Sequence, residues 1–229
     1  MNDKELVAFE AAKLAKNGMV IGLGTGSTAN YFIEHLAKRQ LDEGLNVSTV
    51  ASSTISAIKA ESCGLRVVSI AQLKHIDLYV DGADEITPQL TLLKGRGQDL
   101  VMEKLLATAA KQFVVVADKS KLVSRIGEKF IIPIEVMPNA WQIVQRLLEK
   151  HGAVGDIRLN AGQDNIAISA QGNYILDMRF PESINDQTLN ALLNATPGIV
   201  EHGVFYGLSH QVLIADNGQV EAMPTQKPL

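Results

Sequence analysis

The 229-residue sequence predicts an α/β fold, a parallel sheet flanked by helices, with a smaller α+β unit attached. Three observations lead there. Over the first half, short and nearly continuous apolar runs alternate with helix-period segments, the pattern of strands buried on both faces beneath crossover helices. From about Phe130 this alternation gives way to a split order of strands and helices suited to a mostly antiparallel sheet. The composition is that of a folded chain, with 46% hydrophobic and 20% charged residues, too apolar for general disorder.

Between Lys4 and Asn17 the residues Leu6, Val7, Phe9, Ala11, Ala12, Leu14 and Ala15 recur near helical spacing, and Gly18 stands where a helix would end. Met19-Val-Ile-Gly-Leu-Gly reads as a strand feeding a glycine-rich turn, and Asn30–Lys38 resumes the helical period. A strand at Val47–Ala51, a helix at Thr54–Ser62 and strands at Leu65–Ser69 and Leu78–Val80 follow, then a helix at Leu100–Ala110 and a strand at Phe113–Ala117. The second region carries a strand at Ile134–Val136, a helix at Ala140–His151, strands around Ile157 and Ile166, a strand at Tyr174–Met178 and a helix at Asp186–Leu193. Ile199–Phe205 and Gln211–Ala215 close the chain as strands, and Asn217-Gly218 is a turn signal. The resulting boundaries are 1–130 with 204–229 for the larger domain and 131–203 for the smaller.

A net charge of −4 provides no basic field for a nucleic-acid backbone. The N-terminus shows no basic segment followed by an apolar stretch, and no run approaches ~18 apolar residues, so no membrane span and a cytoplasmic location are expected. The single cysteine, Cys63, excludes an intrachain disulfide and a cysteine-based metal site. The five histidines are scattered, and His202, His210 and Trp141 read as packing or loop residues.

Four segments carry chemistry-bearing residues. Gly22-Leu-Gly24-Thr25-Gly26-Ser27-Thr28 lies between a strand and a helix, where glycines permit close approach, unpaired N–H groups favour an anion and three hydroxyls add donors. A phosphate site is the natural reading, and a capped structural turn is the alternative. The dinucleotide fingerprint fails because Ser27 stands where glycine is needed, and the phosphate-binding P-loop fails for want of a lysine. Asp81-Gly-Ala-Asp84-Glu85 follows a strand and lies at the carboxyl edge of the parallel sheet, where ligands bind. These acids suit sugar hydroxyls, and a solvated acidic turn is the plainer alternative. Lys94-Gly95-Arg96-Gly97 precedes the helix that carries Glu103. A lysine near a developing oxyanion, with a shielded carboxylate as base, suits proton abstraction beside a carbonyl, although Glu103-Lys104 taken alone reads as a surface pair on a helix and the pattern does not single it out. Asp118-Lys119-Ser120-Lys121 ends another strand and offers Lys119 or Lys121 to a phosphate or a sugar oxygen, with solvated turn lysines as the plainer alternative.

In this order the four segments, with Pro197-Gly-Ile-Val-Glu-His-Gly-Val-Phe near the end, closely resemble ribose-5-phosphate isomerase of the A type over nearly the whole chain. The resemblance implies a Rossmann-like domain with a smaller, ferredoxin-like α+β domain, and a homodimer or homotetramer. It implies an aldose–ketose isomerase that needs no metal or other cofactor and interconverts ribose 5-phosphate and ribulose 5-phosphate through a cis-enediolate. Carried over, Glu103 is the base, Lys94 stabilises the enediolate oxygens, and Asp81 and Asp84 position hydroxyls and assist ring opening. Gly24, Thr25, Gly26, Ser27 and Thr28, with Gly95, Gly97, Lys121 and an N-terminal lysine matched to Lys4, form the substrate-binding set. The sequence departs from the family at Arg96, where a glycine is usual. An arginine there costs about 1–2 kcal/mol if the backbone needs positive φ, and it brings a cation toward the sugar site. A non-catalytic sugar-phosphate sensor of the same fold is the alternative this departure motivates, although no helix-turn-helix or basic patch accompanies it. A CoA transferase would need a second catalytic half that the chain lacks.

Overall fold

The computed structural model describes residues 1–223. The chain packs as two compact units, one of Met1–Ala83, Met102–Lys121 and Leu208 onward, the other of Asp84–Val101 and Leu122–Gly207.

The first unit is built on six strands: β1 (Val20–Leu23), β2 (Ser48–Ala51), β3 (Ile76–Asp81), β6 (Ala110–Asp118), β12 (Gln211–Asp216) and β13 (Gln219–Met223), in the order β13-β12-β6-β3-β1-β2. All neighbours are parallel except the β12–β13 hairpin, which turns at Asn217 (φ 51°) and Gly218 (φ 79°). Asn-Gly suits this turn because both central residues take positive φ.

Alternation along the strands sorts the side chains. Ile21, Leu23, Leu78, Val80, Val114 and Val116 join Val7, Ala8, Ala11 and Ala12 of helix α1 (Asp3–Ala12) and Phe32, Ile33 and Leu36 of helix α2 (Ser27–Glu43) in one core. Gly22, Tyr79 and Phe113 point to the opposite face, where the two rings stack 4.9 Å apart at 21°. Helix α1 is capped by Asn2, which accepts from the Glu5 N–H, and α2 ends on Gly44 at φ 69°. Helix α3 (Thr54–Ser62) starts on Ser53, and helix α4 (Leu100–Ala109) precedes β6. The strand expected at Leu65–Ser69 reduces to one bridge, Val67 with Thr49.

In the second unit β7 (Ile132–Val136), helix α5 (Trp141–Glu149), β8 (Val154–Ile157), β9 (Tyr174–Arg179), helix α6 (Asp186–Ala195) and β10 (Ile199–His202) form an antiparallel sheet of order β10-β7-β9-β8, with its two helices. This is the split βαβ arrangement of ferredoxin-like folds. Ile134, Val136, Val144, Leu148, Leu176, Met178, Leu189 and Leu193 form its core. A further sheet of β4 (Glu85–Ile86), β5 (Leu92–Leu93) and β11 (Val204–Phe205) does not follow from the sequence pattern. These two-residue strands are too short to show a period, and their pairing groups Asp84–Val101 with the second unit rather than the first. The strand expected through Ile199–Phe205 is interrupted at Gly203, where a Cβ would lie 2.4 Å from the Lys94 carbonyl oxygen. Among the described residues no helix is long and apolar enough to cross a membrane.

Candidate active site

In the first unit the glycine-rich loop leaves the carboxyl end of β1 and enters α2. Gly26, at φ 115°, precedes the helix, and no side chain caps its first turn. Gly26 and Ser27 are exposed, whereas the Thr25 hydroxyl turns inward to Ser53 at 2.7 Å, Ser52 at 2.9 Å and Ser56 at 3.1 Å. Ser56 in turn donates to the Gly24 carbonyl at 2.7 Å. Sequence pattern alone does not single out this serine cluster, although Ser52-Ser53 follows β2 at the same sheet edge.

The Lys4 ammonium lies 3.2 Å from Ser27 Oγ, so the N-terminal helix delivers a cation to the loop. Lys121 sits in a short 3₁₀ turn after β6. Both lysines act on Asp118: burial opposes its ionisation, but hydrogen bonds from Ser120 and the two ammonium groups hold its carboxyl below the usual range.

Asp81, at the end of β3, is fully buried. Its Oδ1 accepts from the N–H groups of Thr25 at 3.1 Å and Gly82 at 2.7 Å, and its Oδ2 accepts from the Tyr79 hydroxyl at 2.5 Å. Burial, the Asp81 charge and the Glu103 charge push the Tyr79 phenol well above its ordinary range, so it stays protonated. Glu103 lies in the first turn of α4 and is 5% exposed.

In the second unit Asp84 leads into β4, its N–H bonded to the Leu93 carbonyl at 2.8 Å. The next acid acts on a different segment. Glu85 is fully buried and accepts from the N–H groups of Gly127 (2.6 Å), Lys129 (2.6 Å) and Phe130 (2.7 Å). Lys94 is 4% exposed, anchored through its N–H to the Gly203 carbonyl at 2.9 Å, with its ammonium 5.7 Å from the centre of the Phe205 ring. Gly95 takes φ 89°, and a Cβ there would meet the Leu100 Cβ at 2.8 Å. Positive φ recurs at Gln98 (74°) but not at Arg96, so the arginine fits the loop without backbone strain. The Arg96 guanidinium packs 4.2 Å over the Phe130 ring and lies 3.7 Å from Asp84 Oδ1, and its carbonyl accepts from Arg158 at 3.1 Å.

Residues 48–219 match the family model described as ribose 5-phosphate isomerase A (phosphoriboisomerase A). A curated ribose-5-phosphate isomerase A of Thermococcus kodakarensis is 39% identical over 96% of each chain. Among solved structures, ribose 5-phosphate isomerase A of Methanocaldococcus jannaschii superposes with a TM-score of 0.91 at 39% identity, covering 96% of this chain and 97% of that one. A D-ribose-5-phosphate isomerase in complex with phospho-erythronic acid superposes at 0.92 with 35% identity, covering 97% and 99%. With likeness of this extent in both sequence and fold, the chain belongs to the ribose 5-phosphate isomerase A family.

Proposed function

We propose that the chain interconverts ribose 5-phosphate and ribulose 5-phosphate by proton transfer between C2 and C1. The observation that carries this reading, in a chain of this family, is the burial of Glu103 and Lys94, at 5% and 4% exposure. Burying an ionisable side chain is expensive, and perturbed environments of this kind gather where proton transfer is done.

In the open-chain aldose, the Glu103 carboxylate takes the proton from C2, and the electron pair moves onto the C1 carbonyl oxygen to form a cis-enediolate. Lys94 stabilises the negative charge that develops on oxygen. Glu103 then returns the proton to C1, giving the ketose. Asp84, more open than Asp81, handles the hydroxyl protons in ring opening and between O1 and O2. Lys4, Ser27, Thr28 and Lys121 bind the phosphate, helped by the uncapped start of α2. The family resemblance further supports a homodimer or homotetramer working in the cytoplasm, which sedimentation and localisation of tagged protein would test.

The experiment is conversion of ribose 5-phosphate by purified protein with EDTA present, followed by NMR in heavy water. Interconversion with exchange at C2 is expected. Saturable binding without interconversion would overturn the isomerase reading in favour of a sugar-phosphate sensor.

A further inference from the structure

The first two glycines of the phosphate-type loop answer to the protein's own side chains. A Cβ on Gly22 would meet the Tyr79 ring at 2.6 Å, and one on Gly24 would lie 2.1 Å from Asp81 Oδ1. Gly22 and Tyr79 are register partners on β1 and β3, so the missing side chain of one makes room for the ring of the other. Tyr79 is fully buried and stacked on Phe113, which leaves its hydroxyl a single direction.

From that hydroxyl a chain of hydrogen bonds runs into the loop. Tyr79 donates to Asp81 Oδ2, Asp81 Oδ1 accepts the Thr25 N–H, and the Thr25 hydroxyl is held among Ser52, Ser53 and Ser56. Thr25 is thereby held at both its backbone and its side chain. We propose that Tyr79 is a positioning residue which, through Asp81, braces the glycine-rich loop in its phosphate-binding shape.

The geometry supports the brace in two ways. The Asp81 carboxylate is fully buried, with three donors from its own unit on its two oxygens. Two of those donors belong to the loop and turn that a ligand would touch, so the bonds fix the shape of the loop. A charged acceptor bound by several fixed donors is a stiff element, and such networks rigidify what they join.

The proposal rests on the phosphate-binding role of the loop, and its test is kept apart from turnover. In the wild-type protein the amides of Thr25 and Gly82 should be strongly protected from hydrogen exchange, and rapid exchange at both would overturn the brace whatever the protein catalyses. Tyr79→Phe keeps the ring and removes the donor. Its dissociation constant for inorganic phosphate, read from loop amide shifts, should rise about tenfold, the value of one hydrogen bond to a charged group. The KM for ribose 5-phosphate should rise in parallel, with kcat within about threefold. A fall in kcat with phosphate affinity and KM unchanged would assign the pair to the chemical step, and no change in any constant would make Tyr79 a packing residue. Failure of the wild type to turn over would count against the isomerase reading alone, since exchange and phosphate binding would still report on the brace.

Discussion

Arg96 holds its guanidinium 3.7 Å from the carboxylate of Asp84 while packing over the Phe130 ring. The side chain is 52% exposed, so the ion pair is screened and worth at most about 1 kcal/mol, with a similar contribution from the ring. Arg96→Gly removes both and adds backbone freedom to the unfolded chain, at a further cost of about 0.5–1 kcal/mol. The expected result is a loss of about 1–2 kcal/mol in denaturant unfolding with kcat within about fivefold. Arg96→Lys should recover little, because an ammonium lacks the planar face that covers Phe130. A loss of kcat beyond about a hundredfold with unchanged stability would instead place Arg96 on the substrate.

Glu103→Gln is nearly isosteric and replaces the basic carboxylate by an amide that cannot take the proton. It should lower kcat by about 10²–10⁴ or more, with the melting transition and inorganic phosphate affinity close to wild type. Single-turnover exchange at C2 in heavy water separates the outcomes, since exchange that survives the substitution would remove Glu103 from the base role.

The order of strands and helices is legible in the sequence because each long element carries its own period. Val20–Leu23, Tyr31–Ala37 and the Asn217-Gly218 turn announce themselves locally. What escapes notice is set by partners distant in the chain. Glu85–Ile86 and Leu92–Leu93 form a sheet with Val204–Phe205, far along the sequence. The Asp81-Gly-Ala-Asp84-Glu85 string looks like one acidic motif, yet Asp81 holds the glycine-rich loop and Glu85 holds the 127–130 turn. Gly22 and Gly24 look like ligand glycines, and a Cβ on either would also collide with Tyr79 or Asp81 on the neighbouring strand. The positive φ that would have strained Arg96 sits at Gly95 and Gln98 instead.

Glu85→Gln tests the second of these acids. The carboxylate accepts three backbone N–H groups in a fully buried place, and an amide would turn a donor toward at least one of them. Leaving such groups unsatisfied costs about 2–4 kcal/mol, enough to lower the melting temperature by several degrees. A variant as stable as the wild type would show that the 127–130 turn does not depend on Glu85.

Asp77 gives the fold a pH dependence of predictable sign. Burial works against its charge, but Lys111 at 2.8 Å, the Val20 N–H at 2.9 Å and nearby His75 outweigh it and hold the carboxyl below its ordinary 3.8. A carboxyl whose folded value is depressed stabilises the protein above its unfolded value, and the contribution is lost as pH falls through the folded one. Asp77 joins the start of β1 to β3 and β6, so Asp77→Ala should unfold at lower urea concentration than the wild type at neutral pH. Much of the gap should close as pH drops below about 4, where the wild-type carboxyl is itself taking up its proton. A gap that stayed constant from neutral to acid would mean that the lost packing of the side chain, and not its charge, sets the cost.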